Sequence, residues 1–455
     1  MKKFLFRLIL ISLTIGGVFL ALTLRNHFHA SKKPNVILIT IETTRADHLS
    51  CYGYKRKTTP SIDKVANEGV LFSNMFVQRG QTWPSLTSIM TSLYPVNHAV
   101  RKNGHMLSRS VRSIAEILKQ NKYTCAAFLS FARRAVWRGF DYIAPKDWED
   151  ATLTQEATTW LTNNYNKNFF LWIHYSQPHD PYKPPEPYNS IFDPEYKGDI
   201  DGSGKTHEKI SAEKINLKSA DLNHIISLYD GCIYYVDDQI KKTLEAVKTL
   251  GIEDDTLLII TADHGENLYQ PQFYFGHDAS IHDDVLKVPY IMKFPKKIPK
   301  NAKIDKIVES VDIAPTILDF LKIRIPHYFE GRSLLPLIYS EKDAGDFKYA
   351  YAEWQSKILS IRTDKYRYIY NPTGYCPLAN RVSPFIIKKE ELHIVTDNYQ
   401  EVNNILHLKP GVAKELKRKL LEWNNFKRWN SGYDKSADEN IPNDIKEHLK
   451  SLGYL

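Results

Sequence analysis

The feature that most constrains the fold of this 455-residue chain is a set of short, continuously apolar segments. Residues 35–41 read Asn-Val-Ile-Leu-Ile-Thr-Ile, a run typical of a strand buried on both faces. Residues 256–261 are similar. Helical periodicity recurs between such segments and is longest from Leu222 to Val247. Strands that alternate with helices predict an α/β fold with a mostly parallel, doubly wound sheet.

The same patterns place the remaining elements of the first 330 residues. Further strands are predicted at residues 70–77, 124–129, 169–174 and 288–293. Further helices are predicted at residues 61–68, 111–119, 152–163 and 311–321. Residues 183–212 are polar and contain Pro, Gly and Ser, which indicates a long surface loop.

A change of pattern after residue 330 divides the chain. Residues 358–370 predict a hairpin, 391–394 a short strand and 412–423 an amphipathic helix. Because the chain is longer than one core usually supports, we predict a larger α/β domain at 31–330 and a smaller α+β subdomain at 331–455.

The N-terminus predicts a membrane anchor. Met1-Lys2-Lys3 precedes an apolar run, and residues 8–24 carry no charge. We expect residues 1–30 to be one transmembrane helix; a cleavable signal peptide has similar features. The positive charges before the run favour a cytoplasmic N-terminus. The protein is therefore expected in the cell membrane, single-pass, with residues 31–455 on the extracytoplasmic (periplasmic or extracellular) side.

Charge and cysteine content narrow the partners. The net charge of +9 comes from scattered basic residues, which suits anionic ligands or an anionic membrane surface. No nucleic-acid-binding motif is present, so no nucleic-acid partner is expected. The four cysteines form no C-x-x-C pair and indicate no particular disulfide. The sequence leaves the oligomeric state open.

Residues 82–95 read as a tight loop that feeds a short helix. Trp83-Pro84 disfavours helix before the proline, and Ile89, Met90 and Leu93 supply an apolar face. The Thr82 hydroxyl is expected just outside the helix N-terminus, where free N–H groups favour anions. The alternative is a simple helix cap.

Three further polar residues directly follow buried strands. Glu42 comes after the first strand, and Asp263 and His264 come after the strand at 256–261. Ligands in open α/β sheets bind beyond the carboxyl ends of strands, so these side chains and Thr82 predict an oxygen and nitrogen metal site with open positions. Alternatively, Glu42 only solvates a strand end and Asp263 caps the next helix.

Several segments resemble the sulfatase family of the alkaline phosphatase superfamily, in the same order. They are residues 35–53, 82–95, 169–185, 254–266, 276–289, 311–321 and 331–336, with Glu391-Leu392-His393 further on. The resemblance implies an alkaline-phosphatase-like, sulfatase-like mixed sheet with a C-terminal α+β subdomain.

The resemblance also implies roles for six residues. Glu42, Asp263 and His264 match metal ligands, and Thr82 matches the nucleophile, which also contacts the metal. His179 and His277 match histidines that contact the ester oxygens or protonate the leaving group. The implied cofactor is a divalent metal, Zn, Mn or Ca. His174 lies within a predicted strand and is interpreted as a core residue.

The nucleophile position departs from the sulfatase pattern. Sulfatases oxidise Cys or Ser in a C/S-x-P-x-R signal to formylglycine, whereas this chain has Thr82 and Leu86. Oxidation of threonine at its secondary carbon would give a ketone, so no formylglycine is expected. Direct attack by threonine resembles the phosphoethanolamine transferases and lipoteichoic acid synthases of the superfamily.

Three hypotheses about function remain open. The first is a metal-dependent phosphate-ester hydrolase or transferase that forms a phosphothreonine at Thr82. The second is a sulfatase that works without formylglycine, and the third is a catalytically silent binding relative. The substrate is expected to be a small-molecule, lipid-headgroup or glycan ester.

Overall fold

The computed structural model describes residues 33–130, 138–144, 149–211, 217–269, 275–277, 280–341, 344–375, 388–395 and 403–429. The predicted anchor at residues 1–30 lies outside the described residues. Within them, no helix has the length and apolar character needed to cross a membrane. The described residues from Asn35 onward belong to one compact unit, and the domain boundary after residue 330 stays a prediction.

An eight-stranded mixed sheet forms the centre of this unit. Its strands are β1 (Asn35–Ile41), β2 (Val70–Phe76), β3 (Thr124–Leu129), β4 (Tyr142–Ile143), β5 (Phe169–Tyr175), β6 (Thr256–Ala262), β9 (Lys287–Lys293) and β10 (Ala302–Glu309), with a separate two-stranded ribbon of β7 (Asn267–Leu268) and β8 (Phe275–Gly276). The order is β10-β2-β9-β6-β1-β5-β3-β4. Only β9 runs antiparallel to its neighbours among these strands, which confirms the predicted mixed, mostly parallel sheet.

Helices cover both faces of this sheet. They are α1 (Pro60–Asn67), α2 (Thr82–Thr91), α3 (Pro95–His98), α4 (Ile114–Gln120), α5 (Asp150–Asn164), α6 (Gly204–Ser211), α7 (Ser219–Thr249), α8 (Asp283–Leu286), α9 (Ile313–Phe320) and α10 (Leu335–Ile338). All seven residues of β1 are buried. Val36 and Leu38 pack into one apolar cluster, whereas Ile37 and Ile39 pack into the other, so β1 separates two cores.

The C-terminal part contains a second, antiparallel sheet. Its four strands are β11 (Ala350–Trp354), β12 (Ile358–Arg362), β13 (Tyr366–Tyr370) and β14 (Glu390–Ile394), and the helix α11 (Pro410–Trp429) packs against them. Leu416 and Leu420 of α11 share an apolar cluster with Ile361 and Tyr368 of the sheet. The predicted hairpin, short strand and helix are therefore all present.

Two local predictions were wrong. The polar stretch 183–212 is not loop throughout, because α6 occupies Gly204–Ser211. The helix α4 begins at Ile114 and not near residue 111, because Ser113 and Glu116 form a capping box that sets its first turn. Among the described residues Cys51, Cys125 and Cys232 are free, and Cys376 lies outside them.

Candidate active site

Strand register brings the two predicted metal-binding segments together. Strands β1 and β6 are parallel neighbours, and Ile41 pairs with Ala262 at their carboxyl ends. Glu42 and Asp263 are the next residues of their chains, and both are buried. The carboxylates therefore lie side by side at the carboxyl edge of the sheet, as the sequence predicted.

Thr82 lies at the start of α2, close to Glu42. Its hydroxyl is buried and donates a hydrogen bond to Glu42 Oε1 at 2.7 Å. The expectation that Thr82 lies outside the helix was wrong, because α2 begins at Thr82 itself. Pro84 is tolerated at the third helical position because the first-turn N–H groups have no partner within the helix.

Asp263 has one satisfied and one unsatisfied carboxylate oxygen. Oδ1 accepts hydrogen bonds from the backbone N–H groups of Thr43, at 3.0 Å, and His264, at 2.8 Å. Oδ2 is buried and finds no hydrogen-bond partner in the described part of the chain. Burial and the nearby Glu42 charge raise the pKa of Asp263 to about 7.

The tautomer of His264 follows from its contacts. Nδ1 lies 2.9 Å from the carbonyl oxygen of Gly265, which can only accept, so Nδ1 carries the proton. Nε2 then presents a lone pair 3.3 Å from Asp263 Oδ2 and 3.5 Å from Thr82 Oγ1. Burial and the neighbouring His277 hold the pKa of His264 well below its usual range, so the ring stays neutral.

These donor atoms fit a divalent cation. Asp263 Oδ2 and His264 Nε2 are both hydrogen-bond acceptors. Two acceptors that face each other in a buried site repel, unless a cation or a proton lies between them. Glu42 supplies a further oxygen, and hydrogen bonds and charge from His174, with smaller contributions from His179 and Thr82, outweigh burial and lower its pKa. Glu42, Asp263, His264 and Thr82 could hold the metal that the sequence predicted.

The two predicted ester-binding histidines adjoin this centre. The ring centroid of His277 lies 4.3 Å from that of His264 and 5.3 Å from that of His179. His277 Nδ1 is 3.3 Å from both carboxylate oxygens of Glu266, and His179 Nδ1 is 2.6 Å from the Asp180 carbonyl oxygen. The fold thus brings all six predicted site residues into one region; their roles stay predictions.

His174 belongs to this site, although the sequence indicated only a core residue. It is fully buried, but its Nε2 lies 3.0 Å from Glu42 Oε2. Burial alone would lower the pKa of His174, and the interaction with Glu42 outweighs it and raises the pKa. Strand pairing explains the contact, because His174 in β5 is the register partner of Thr40 in β1. A lone histidine near the end of a strand beside an acid-bearing strand is the signal that could have identified it.

Asn103 is a second residue that the sequence gave no reason to select. Its side-chain oxygen accepts a hydrogen bond from the backbone N–H of Trp83 at 2.9 Å, next to Thr82. Its Nδ2 is buried and has no hydrogen-bond partner among the described residues. A buried amide donor beside the proposed nucleophile suits an anionic ligand. In the sequence, Asn103-Gly104 resembles an ordinary turn.

Two family models match this chain. The family model described as Sulfatase matches residues 34–323. The model described as N-sulphoglucosamine sulphohydrolase, C-terminal, matches residues 274–426.

Curated relatives are similar over most of the chain. A sulfatase of Formosa agariphila is 24% identical, over 75% of this chain and 80% of its own length. An N-acetylglucosamine-6-O-sulfatase of Bacteroides thetaiotaomicron is 23% identical, over 75% of this chain and 79% of its own length.

Solved structures share the fold. A structure in complex with its substrate D-glucosamine-2-N,6-O-disulfate superimposes with a TM-score of 0.73 at 20% identity, covering 89% of this chain and 100% of the other. The phosphonate monoester hydrolase of Agrobacterium radiobacter gives a TM-score of 0.71 at 20% identity, covering 87% and 96%. At this identity the likeness concerns the fold alone.

Proposed function

Because the chain belongs to the sulfatase family, whose members are hydrolases, we propose that it cleaves phosphate esters with Thr82 as its nucleophile. The observation that carries this proposal is the position of the Thr82 hydroxyl. It lies at the N-terminus of α2, donates to Glu42 and adjoins His264 Nε2. A buried hydroxyl in this setting suits nucleophilic attack on an anionic ester.

The side chain at this position supports phosphoryl transfer over orthodox sulfate hydrolysis. A formylglycine forms from Cys or Ser, and a secondary alcohol cannot give that aldehyde. Among the described cysteines, Cys51 lies in a different loop, and burial raises the pKa of its thiol above its usual range. Thr82 is the hydroxyl that Glu42 orients, so the attack is assigned to its Oγ1.

The proposed reaction has two displacement steps. In the first, Thr82 Oγ1 bonds to phosphorus, its proton passes to Glu42 Oε1, and the ester P–O bond breaks as His179 or His277 protonates the leaving oxygen. In the second, water or an acceptor alcohol attacks the phosphothreonine and gives its proton to that histidine. The bond to Thr82 breaks, and Oγ1 recovers its proton from Glu42.

The remaining site residues hold charge and geometry. A divalent cation bound by Glu42, Asp263 and His264 would lower the pKa of the Thr82 hydroxyl and stabilise charge on the transferred group. Glu266 holds His277 in orientation through Nδ1.

Sulfate-ester hydrolysis without formylglycine is the second candidate. It is favoured by the relatives, of which several are sulfatases, including an N-acetylglucosamine-6-O-sulfatase. The same constellation of metal ligands and histidines suits a sulfuryl group, which is also tetrahedral and anionic. A test must therefore compare the two ester classes directly.

Mass spectrometry of the Thr82 peptide, after brief incubation with paired phosphate and sulfate esters, tests the proposal. We expect phosphate release and an added phosphoryl mass on Thr82. Sulfate release without any phosphoryl adduct would favour the second candidate. Turnover of neither ester would favour a binding relative without catalysis.

Variants at Thr82 provide the matched control. We predict that Thr82→Ala abolishes turnover, because the attacking oxygen is removed, whereas Thr82→Ser keeps a hydroxyl and retains measurable activity. Steady-state rates with the ester that is turned over check this. Equal activity of Thr82→Ala and the unmodified protein would contradict a nucleophilic role. Leu86→Arg should not create a sulfatase.

We also propose that the enzyme is held at the cell membrane by residues 1–30, with its site on the extracytoplasmic side. The apolar run at residues 8–24 and the preceding lysines support this. A surface polysaccharide or lipid headgroup ester would then be within its compartment. Fractionation of the full chain, and accessibility of the catalytic part to external protease, test the location.

A further inference from the structure

His174 makes contacts that a core histidine does not need. Its Nε2 lies 3.0 Å from Glu42 Oε2, and its Nδ1 lies 2.9 Å from Thr40 Oγ1. The ring is fully buried. Both nitrogens are thus engaged, one of them by a proposed metal ligand.

The geometry around His174 matches that of ligands on a shared cation. One nitrogen of His174 and one oxygen each of Glu42 and Asp263 all lie within 4.8 Å of one another. Ligand atoms on a tetrahedral zinc, each about 2.0–2.1 Å from the ion, lie about 3.3 Å apart. The separation of 3.0 Å between His174 Nε2 and Glu42 Oε2 is close to this value. His264 adjoins this group of three through Asp263, whose Oδ2 lies 3.3 Å from His264 Nε2.

Thr40 lets His174 present a lone pair toward Glu42. The Thr40 hydroxyl oxygen accepts a hydrogen bond from Trp172 Nε1 at 2.9 Å, and it has a second lone pair for a proton on His174 Nδ1. When Nδ1 donates to Thr40, Nε2 is unprotonated and can bind a metal. Histidine ligands usually donate their other N–H to such an outer partner, which fixes the tautomer and the ring orientation.

We propose that His174 joins Glu42 and Asp263 as a protein ligand of the metal centre, and that these residues with the adjoining His264 select Zn²⁺ over Ca²⁺. Two imidazoles and two carboxylates form a donor set for a borderline transition metal, whereas Ca²⁺ takes six to eight oxygen ligands. The inference rests on the metal dependence in the proposed function, and it extends that function by a further ligand and by the identity of the metal.

Metal titration of the full chain tests this inference. Metal-free protein is titrated by calorimetry with Zn²⁺ and separately with Ca²⁺, and Co²⁺ is added as a spectroscopic probe of coordination. We expect one Zn²⁺ per chain, bound at least 100-fold more tightly than Ca²⁺, and intense visible Co²⁺ bands typical of low coordination number. Tighter binding of Ca²⁺ would overturn the inference.

His174→Gln separates a ligand from a hydrogen-bond donor. The glutamine amide can still donate to Glu42, but it removes the imidazole nitrogen. We expect Zn²⁺ affinity to fall at least 10-fold and the Co²⁺ bands to shift. Unchanged affinity and spectrum would mean that His174 only orients Glu42. Thr40→Val, which removes the outer partner, is expected to weaken Zn²⁺ by about 10- to 100-fold. Thermal unfolding of each metal-free variant checks its fold.

The outcomes distinguish this inference from the proposed function. A phosphoryl adduct on Thr82 with only Ca²⁺ bound would overturn the choice of zinc and leave the phosphoryl transfer intact. Binding of Mn²⁺ but not Zn²⁺ would likewise overturn only the choice of zinc. Failure to bind Zn²⁺, Mn²⁺ or Ca²⁺ would contradict the metal dependence, and with it both proposals.

Discussion

Thr43, which directly follows the proposed metal ligand Glu42, has an unfavourable backbone conformation. Its φ is +47°, in the left-handed region that a β-branched residue rarely adopts. Such a conformation costs about 1–3 kcal/mol and persists only if its surroundings enforce it. Its N–H donates to Asp263 Oδ1 at 3.0 Å, and its carbonyl oxygen accepts from Tyr229 at 2.7 Å. The strained residue therefore connects the turn after β1 to the turn after β6.

Asn103 is the second residue near Thr82 whose contribution to activity can be tested by substitution. We predict that Asn103→Ala lowers kcat/KM by about 100-fold or more, because one buried hydrogen-bond donor to the anionic group is lost. Steady-state kinetics with the ester that is turned over check it.

Asn103→Asp is the matched control for this prediction. It keeps the oxygen that Trp83 N–H binds but replaces the donor by a second acceptor. It should lower kcat/KM at least as much as the alanine variant. Full activity of the aspartate variant would exclude a role for Nδ2 in binding the anion.

The sequence identified site residues that directly follow a strand. It missed site residues whose position depends on contacts with distant parts of the chain. Glu42 and Asp263 follow apolar runs, so the sheet rule alone located them. His174 depends on the pairing of β5 with β1, and Asn103 on a loop that returns to α2. Apolar periodicity specifies neither register nor loop path, so neither contact could be read from it.

The N-terminus of α1 shows how elements are joined in this fold. Asp237 in α7 is buried. Its Oδ2 accepts a hydrogen bond from the Ser61 backbone N–H at 2.8 Å, and its Oδ1 accepts one from the Ile62 backbone N–H at 2.8 Å. These are first-turn groups of α1 that lack partners within that helix. The carboxylate thus caps one helix from the side of another.

This cap predicts a pH-dependent contribution to stability. Burial raises the pKa of Asp237 to about 7, above about 3.9 for an unfolded chain. The folded state holds this proton more tightly, so stability is lost as pH rises from about 4 through 7. We predict that Asp237→Asn, whose side chain does not titrate in this range, removes this decline. Thermal unfolding midpoints across this range check it.

Asp238→Asn serves as the control, because Asp238 is the next residue of α7 and bonds Tyr188 at 2.6 Å instead of capping a helix. Its unfolding midpoints should keep the pH dependence of the unmodified protein. If the unfolding midpoints of Asp237→Asn and of the unmodified protein depend on pH in the same way, Asp237 is not the source of the decline in stability.

Element types were largely predictable, whereas element ends were less so. The strands β1 and β6 are buried along their whole lengths, so apolar runs identified them within a residue. The start of α2 was misplaced, because proline in a first turn removes no helical hydrogen bond. The start of α4 depends on a capping box that apolar periodicity does not mark.

At the scale of the whole molecule, one buried carboxylate joins the two sheets. Asp283 is the first residue of α8, the short helix that leads into β9. It lies between Arg362 of β12 and Arg367 of β13, with a contact of 3.0 Å to Arg362 Nη2 and a shorter one to Arg367. All three side chains are buried. Burial alone would raise the pKa of Asp283, but the two guanidinium groups hold it well below its usual range.

Removing this carboxylate is therefore predicted to be costly. Asp283→Asn removes the negative charge that Arg362 and Arg367 share in a buried site, and we expect a loss of about 3–5 kcal/mol in the free energy of unfolding. Denaturant titration checks the value. Glu422→Gln, which breaks an exposed pair with Arg418 on α11, should cost less than about 0.5 kcal/mol. Equal effects of both changes would argue against a joint between the sheets at Asp283.

The direction of β1 has a practical consequence for how the enzyme can be tethered. Asn35 begins the seven-residue strand β1 and Glu42 directly follows its other end, about 23 Å away at 3.3 Å per residue. Any support, resin or fusion partner joined ahead of Asn35 is therefore attached at the sheet edge remote from the catalytic groups. Immobilisation by that end should preserve access for bulky, even polymeric, esters, whereas coupling through the loops that follow β1, β5 and β6 would obstruct it.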